Sequence, residues 1–214
     1  MTPQPEFVTF TGIDDRTDLT AADELARQYP IEWGVLFTQS NRDARFPCAQ
    51  AVAEIVEIRG AKAAHLCGAV STAFQGGDAP EGLPLSRFNR VQVNGHRINQ
   101  TMFPSWRARL QVDLIVQTRQ AHFTADGEYL ELYDRSGGEG VLPAEVPALP
   151  AGGPLVGFAG GIGPDTVAHY LSLIGGEGRS GWTWRGGSAR TAGSAWRKSA
   201  GLRRAVWVVL AGDR

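Results

Sequence analysis

A chain of 214 residues, 43% apolar and 20% charged, holds enough hydrophobic material for one sizeable core, and a single barrel of roughly 200–250 residues is a common outcome. Its formal net charge of −1 gives no global attraction to nucleic acid or anionic membrane, and no apolar run reaches the roughly 20 residues that span a bilayer. Residues 1–6 carry no basic or apolar signal segment, and Cys48 and Cys67 lack CxxC spacing, so a cytoplasmic, reduced protein without disulfides is expected.

Short apolar runs recur along the chain. The first, at 7–11, precedes a helix that Asp18 or Thr20 can cap and that runs through Leu25 to Gln28, stopping before Pro30. After the run at 33–37, Pro47 can occupy the first turn of a helix reaching Arg59, with Ala51, Val52, Ile55 and Ile58 on one face and Gly60 beyond its end. Runs at 63–66 and 91–93 follow, then a helix over 98–110 interrupted near Pro104. After the runs at 114–116 and 129–133, helices are short or missing. The run at 155–158 leads to a helix opened by Pro164, which carries Val167, Tyr170, Leu171 and Ile174 and ends at Gly175 and Gly176. A weaker run covers 182–184. Runs that are apolar throughout suggest parallel strands buried on both faces. Strand–helix alternation predicts an α/β protein, and eight strands predict closure into a (β/α)8 barrel. An open doubly wound sheet is the alternative. No linker divides residues 1–214, so one domain is expected.

In such a barrel the chemistry sits where strands end. Those positions are Thr11-Gly12, then Asp14 and Asp15; Thr38-Gln39-Ser40, then Arg42 and Arg45; Cys67-Gly68; Asn94-Gly95-His96; and Gln117 with Arg119. The sixth run ends in Asp134, then Arg135-Ser136-Gly137-Gly138-Glu139-Gly140. Any one of these is also just what the start of a loop looks like. The segment Phe158-Ala159-Gly160-Gly161-Ile162-Gly163-Pro164 carries more information. It is an apolar strand, two glycines and a helix start, which suits backbone contact with a phosphate. The alternative is a tight turn with no ligand. His65, His96, His122 and His169 show no ligand spacing, so no metal is expected. Asn94 and His96 either line the pocket or belong to a turn. Cys67 reads as a small buried residue, and Arg107 and Arg109 as a solvated helix face.

Several of these segments, in this order, resemble the phosphoribosylanthranilate isomerases. Phe7-Val8-Thr9-Phe10-Thr11-Gly12-Ile13 resembles that family's K-I-C-G-I strand. Trp33-Gly34-Val35-Leu36-Phe37 with Ser40-Asn41-Arg42 and Arg45-Phe46-Pro47 resembles its G-F-V-F…S-x-R pattern. Leu132-Tyr133-Asp134 with Gly137-Gly138-Glu139-Gly140 is similar to L-L-D…G-G-x-G, and Ala159-Gly160-Gly161-Ile162 to L-A-G-G-L. The resemblance implies an Amadori-type isomerase of tryptophan biosynthesis that acts on a small phosphorylated molecule. No cofactor is expected, and a monomer or, on the general ground that closed dimers are the commonest oligomers, a homodimer is expected. Asp134 matches the general acid. Thr11 stands at the general base, where the family has cysteine. Arg45, or alternatively Arg42, matches the arginine that holds a carboxylate. Asn94 is a candidate substrate contact on its strand-end position alone. Gly138, Gly160 and Gly161 match the phosphate site, and in the tail Gly186, Gly187 and Ser188 would mimic its second turn only by chance. A thiol of pKa about 8.5 ionises where a threonine hydroxyl does not. Asp14 or Asp15 would replace the base if the loop turned inward, and would otherwise be solvated. The usual Lys-Thr after the sixth-strand glycines is also missing. A barrel that binds a phosphorylated ligand with different or lost catalysis is therefore the alternative function.

The tail departs from the rest. From Gly178 to Gly212 there is no Asp or Glu, while four of the six tryptophans and Arg185, Arg190, Arg197, Lys198, Arg203 and Arg204 fall there. A basic surface helix and a nucleic-acid patch are two readings of it. A third fits better. Reading GC-rich codons for residues 182–200 from their third base permits D-M-E-G-G-V-R-T-D-G-R-L-G-L-E-K-V-R-R, an acidic strand end, a Gly-Gly turn and an amphipathic helix. The reading predicts a one-nucleotide frameshift near Gly181 and Trp182, in the gene or in its recorded sequence, and no nucleic-acid partner. Resequencing the locus is the check: one inserted or deleted nucleotide there is expected, and an uninterrupted frame encoding this tail in close relatives too would refute it.

Overall fold

Along each strand the side chains point alternately to the two sheet faces, and here the two sets differ in chemistry. Val8, Phe10, Ile31, Trp33, Val91 and Val93 occupy one set; Thr9, Thr11, Glu32, Gly34, Gln92 and Asn94 occupy the other. The computed structural model describes residues 5–39, 46–80, 82–124, 128–163 and 165–185. In it the eight strands are β1 (Val8–Thr11), β2 (Ile31–Phe37), β3 (Ala61–Leu66), β4 (Arg90–Val93), β5 (Asp113–Thr118), β6 (Leu130–Tyr133), β7 (Val156–Phe158) and β8 (Ser180–Arg185). They pair in parallel, in sequence order, into a closed barrel. Val8 lies opposite Ile31 on one side and Trp182 on the other. All eight expected strands are present within a few residues of their expected bounds.

Closure puts the two sets in different environments. The apolar set forms the main core between strands and helices, with Trp33, Phe74, Phe103, Phe158, Tyr170 and Trp182 fully buried. The inner set is mostly polar. Its apolar members include Leu36, Ala63 and a small cluster of Ile115, Leu132 and Ala159. Both faces are buried, as expected, but the apolar-throughout reading holds only for the outer one.

The helices follow local chemistry and then tertiary ties. In α1 (Leu19–Gln28) Asp18 caps the start, accepting from the Ala21 N–H at 3.0 Å. Its end at Tyr29 is extended, as Pro30 demands of the residue before it. The second helix, α2 (Ala49–Ile55), is shorter than the sequence suggests. Pro47 precedes its cap, Cys48. The stretch up to Arg59 leaves the helix because it is tied elsewhere. The Arg59 N–H and guanidinium bind Asp23 of α1, and the Arg59 carbonyl accepts from the Trp33 indole at 3.0 Å. Helix α3 (Gly68–Gly76) is not evident in the sequence; its glycine ends and small side chains hide the pattern. In α4 (Phe103–Leu110) Pro104 opens the helix instead of interrupting it. The residues before it form a turn in which Asn99 accepts from Thr101. Helix α5 (Val167–Leu173) starts later than Pro164, which lies outside the described residues. No helix separates β5 from β6 or β6 from β7 among the described residues, in line with the sequence. Likewise among them, no helix is long and apolar enough to cross a membrane.

The floor of the barrel, at the strand starts, holds a buried ion pair. Arg90 on β4 pairs with Glu32 on β2, Thr9 donates to the Glu32 carboxylate at 2.7 Å, and the Arg90 guanidinium sits 4.3 Å from the Phe7 ring centre. Burial pushes the Glu32 carboxyl above the usual carboxylate range, and Arg90 and Thr9 offset only part of that rise. Removing one member of such a pair strands the other charge. Arg90→Leu should therefore destabilise the fold by about 3–5 kcal/mol, measured by urea denaturation. Wild-type stability in that variant would show that the pair is dispensable.

Candidate active site

The inner positions near the strand ends line a cavity of about 330 Å³ at the C-terminal mouth of the barrel. Its deep wall includes Thr11, Leu36, His65, Gln92, Leu132 and Thr183. Asn94, Gln117 and Asp134 stand above, and Arg119, Gly137, Gly138 and Gly160 at the rim. The residue order explains why. His65 and Cys67 are two apart on β3 and its exit, as are Gln92 and Asn94 on β4, so each pair faces inward at successive levels.

Asp134, 5% exposed, follows β6 directly. Gln117 Nε2 donates to Asp134 Oδ2 at 3.0 Å, and the Ser136 hydroxyl donates to Oδ1 at 2.8 Å. Gln117 is itself held, because its Oε1 accepts from the Gly95 N–H at 3.1 Å. The carboxylate is thus fixed by a relay across three strand ends and keeps its face to the cavity. Gly160, φ +95°, lies so close that a Cβ there would sit 3.1 Å from Asp134 Oδ1. Arg119 rests against Gly137, where a Cβ would overlap the guanidinium.

Thr11 and His65 differ from the other polar residues of the cavity. Gln92 donates to Asn94 Oδ1 at 2.7 Å, and Asn94 donates to Cys67 Sγ at 3.4 Å. Thr11 Oγ1 and His65 Nε2 are buried with no hydrogen-bond partner. Leaving such a group unsatisfied costs about 1–3 kcal/mol. Both atoms converge on Gly34: a Cβ there would be 2.8 Å from Thr11 Oγ1 and 3.0 Å from His65 Nε2. Glycine at 34 is what lets the imidazole reach across β2 toward β1.

The expected site residues divide into three groups. Thr11, Asn94, Asp134, Gly138 and Gly160 come together around the cavity. Gly161 does not line it; its Cα packs on the chain at Val141 and Leu142. Arg42, Arg45, Gly187 and Ser188 lie outside the described residues. Neither Asp14 nor Asp15 is among the residues that line the cavity. Asp14 is buried but closes its own turn, accepting from Thr17 and Arg16. Asp15 is exposed and accepts from the Cys48 N–H at the start of α2. Cys67 lines the cavity. Arg107 and Arg109 are exposed on α4, as expected. Sequence reasoning missed His65 as a cavity residue. Its signal was the inward alternation Ala63, His65, Cys67, which a search for metal spacing does not test. Among the described residues no cluster of potential ligands could hold a metal ion.

Burial drives the His65 imidazole down to about 4, so it is neutral at pH 7. The unfolded chain takes up this proton near pH 6.5 and the folded chain only near 4. Stability from this group is therefore present above about pH 6.5 and falls by about 3 kcal/mol as the pH drops to about 4. Imidazole resonances should show His65 neutral down to about pH 5, and His65→Gln should remove that part of the pH slope. A His65 titration near its ordinary value would contradict this.

No family model matches the chain, and no curated protein matches it. Among solved structures, the tryptophan synthase A-subunit from a hyperthermophile, Pyrococcus furiosus, is similar with a TM-score of 0.50 at 13% identity, covering 98% of each chain. A mutant tryptophan synthase alpha-subunit from the same source gives 0.49 at 10% identity, covering 98% of this chain and 99% of that one. At such identity the likeness is one of fold. The chain is a (β/α)8 barrel with a polar cavity at the C-terminal end of its strands, the end where barrels of this kind carry their chemistry.

Proposed function

We propose that this barrel binds a small phosphorylated, sugar-type molecule at the mouth cavity and isomerises it by proton transfer, in the manner of the phosphoribosylanthranilate isomerases whose motifs it resembles. The observation that carries the reading is Asp134. It is a buried carboxylate at the end of β6, oriented by Gln117 and Ser136 and facing a cavity rimmed by Gly137, Gly138, Gly140 and Gly160. A carboxylic acid so placed can protonate a ring oxygen, and glycine turns admit a phosphate close to the backbone. Arg119 adds a cation at the same rim. Barrel phosphate sites commonly occupy the loops after the last strands, where Gly160 lies.

A second reading is favoured by Thr11. With a hydroxyl where the family has a thiol, the same cavity binds the phosphorylated ligand but performs a different reaction or none. One set of experiments separates the two. The gene is expected to restore growth to a tryptophan-requiring strain that lacks the isomerase, and Asp134→Asn is expected to reduce the activity by about 100- to 10,000-fold. Ribose 5-phosphate binding without growth, from folded and expressed protein, points to the second reading. Absence of both would eliminate the proposal.

A further inference from the structure

We infer that Arg119 and the Gly137–Gly138 turn form the seat of the ligand's oxyanion, its phosphate, on the β5–β6 side of the barrel mouth. The inference rests on the ligand class proposed above and adds where the phosphate sits and which residue selects it.

Arg119 is the only arginine or lysine among the described residues that line the cavity. It is exposed, so a ligand reaches it from solvent. Among the described residues it makes no ion pair and no hydrogen bond, whereas Arg16, Arg27, Arg59, Arg87, Arg90 and Arg179 each pair with a carboxylate. The guanidinium is nevertheless positioned. The Gln120 N–H donates to Thr118 Oγ1 at 3.1 Å and fixes the turn that carries Arg119. The facing turn is closed by the Gly137 N–H on the Asp134 carbonyl and the Gly140 N–H on the Ser136 hydroxyl, both at 3.1 Å. A Cβ at Gly137 would lie 1.9 Å from Arg119 Nη2, so glycine at 137 is what admits the guanidinium to the rim. A charged fork held in place without a partner fits an anion, because it presents parallel N–H groups to the oxygens of a phosphate or a carboxylate. The turn after β7 suits an anion less. The point where a Gly160 Cβ would stand is 3.1 Å from Asp134 Oδ1 and 3.2 Å from the Val141 carbonyl oxygen, and both acceptors repel a phosphate. Asp134 opens the same loop as Gly137, so a ligand anchored on Arg119 lies beside the carboxylate.

The test titrates the full chain with inorganic phosphate, ribose 5-phosphate and benzoate, followed by NMR. The wild type should bind both phosphates, and inorganic phosphate more tightly than benzoate. The Arg119 Nε–H resonance should shift with both phosphates. Arg119→Gln should weaken both by at least about tenfold, through loss of a charge-assisted pair, and Arg119→Lys by less. Arg135→Gln removes an exposed arginine that follows Asp134 but does not line the cavity, and should leave both affinities unchanged. Arg119 has no partner in the fold to lose, so its variants should keep the wild-type Tm. Ribose 5-phosphate binding that Arg119→Gln leaves unchanged, or that Arg135→Gln weakens as much, overturns this inference and leaves the phosphate reading standing. Benzoate binding tighter than phosphate binding, and lost in Arg119→Gln, assigns the seat to a carboxylate and overturns it too. Failure of the wild type to bind either phosphate overturns both.

Discussion

Everything in this molecule depends on the ladder that joins its last strand to its first. The Glu6 N–H donates to the Ser180 carbonyl at 2.7 Å, the Trp182 N–H donates to the Phe7 carbonyl at 3.2 Å, and pairing continues from Val8–Trp182 to Thr11–Arg185. Arg179 reinforces the seam through Glu6, at 2.9 Å on its second contact. An open sheet would leave two edges with unpaired backbone groups. Closure removes them and, in the same act, divides every strand into an inner and an outer face. Trp182, 1% exposed, shows the consequence: its outward side chain seals the core against Phe158 and Tyr170.

Closure also assembles the chemistry. Thr11, His65, Gln117 and Asp134 lie on or directly after four different strands and meet because each is an inner residue near a strand end. The outer core carries the apolar burial that stabilises the fold. The inner face is thereby free to hold groups that detract from stability, such as two unsatisfied polar atoms. The two ends of the interior differ in how they treat charge. At the floor Glu32 has Arg90 and Thr9 as partners. At the mouth Asp134 is held by neutral donors, Gln117 and Ser136, and opens onto a cavity.

The eight strands, their order and the polar strand ends were legible in the sequence, because short apolar runs bounded by Gly, Asp, Asn and Thr are local signals that closure does not alter. The cap of α1 by Asp18 and the weak helices after β5 and β6 were legible for the same reason. The position of Asp134 was legible too, since it directly follows an apolar strand.

Other features depended on contacts between distant residues. Arg59 leaves the α2 path because Asp23 and Trp33 hold it, and neither is near it in sequence. Asp14 and Asp15 could have been pocket acids; the fold ties one into its own turn and the other to α2. His65 looked like an isolated histidine until β2 placed a glycine beside it and β1 placed Thr11 across from it. By itself the sequence determined which residues are apolar, where strands and turns fall, and which polar side chains end each strand. Only the tertiary structure decided which polar atoms find partners and which are buried without one, because hydrogen-bond satisfaction is set by neighbours brought together when the barrel closes.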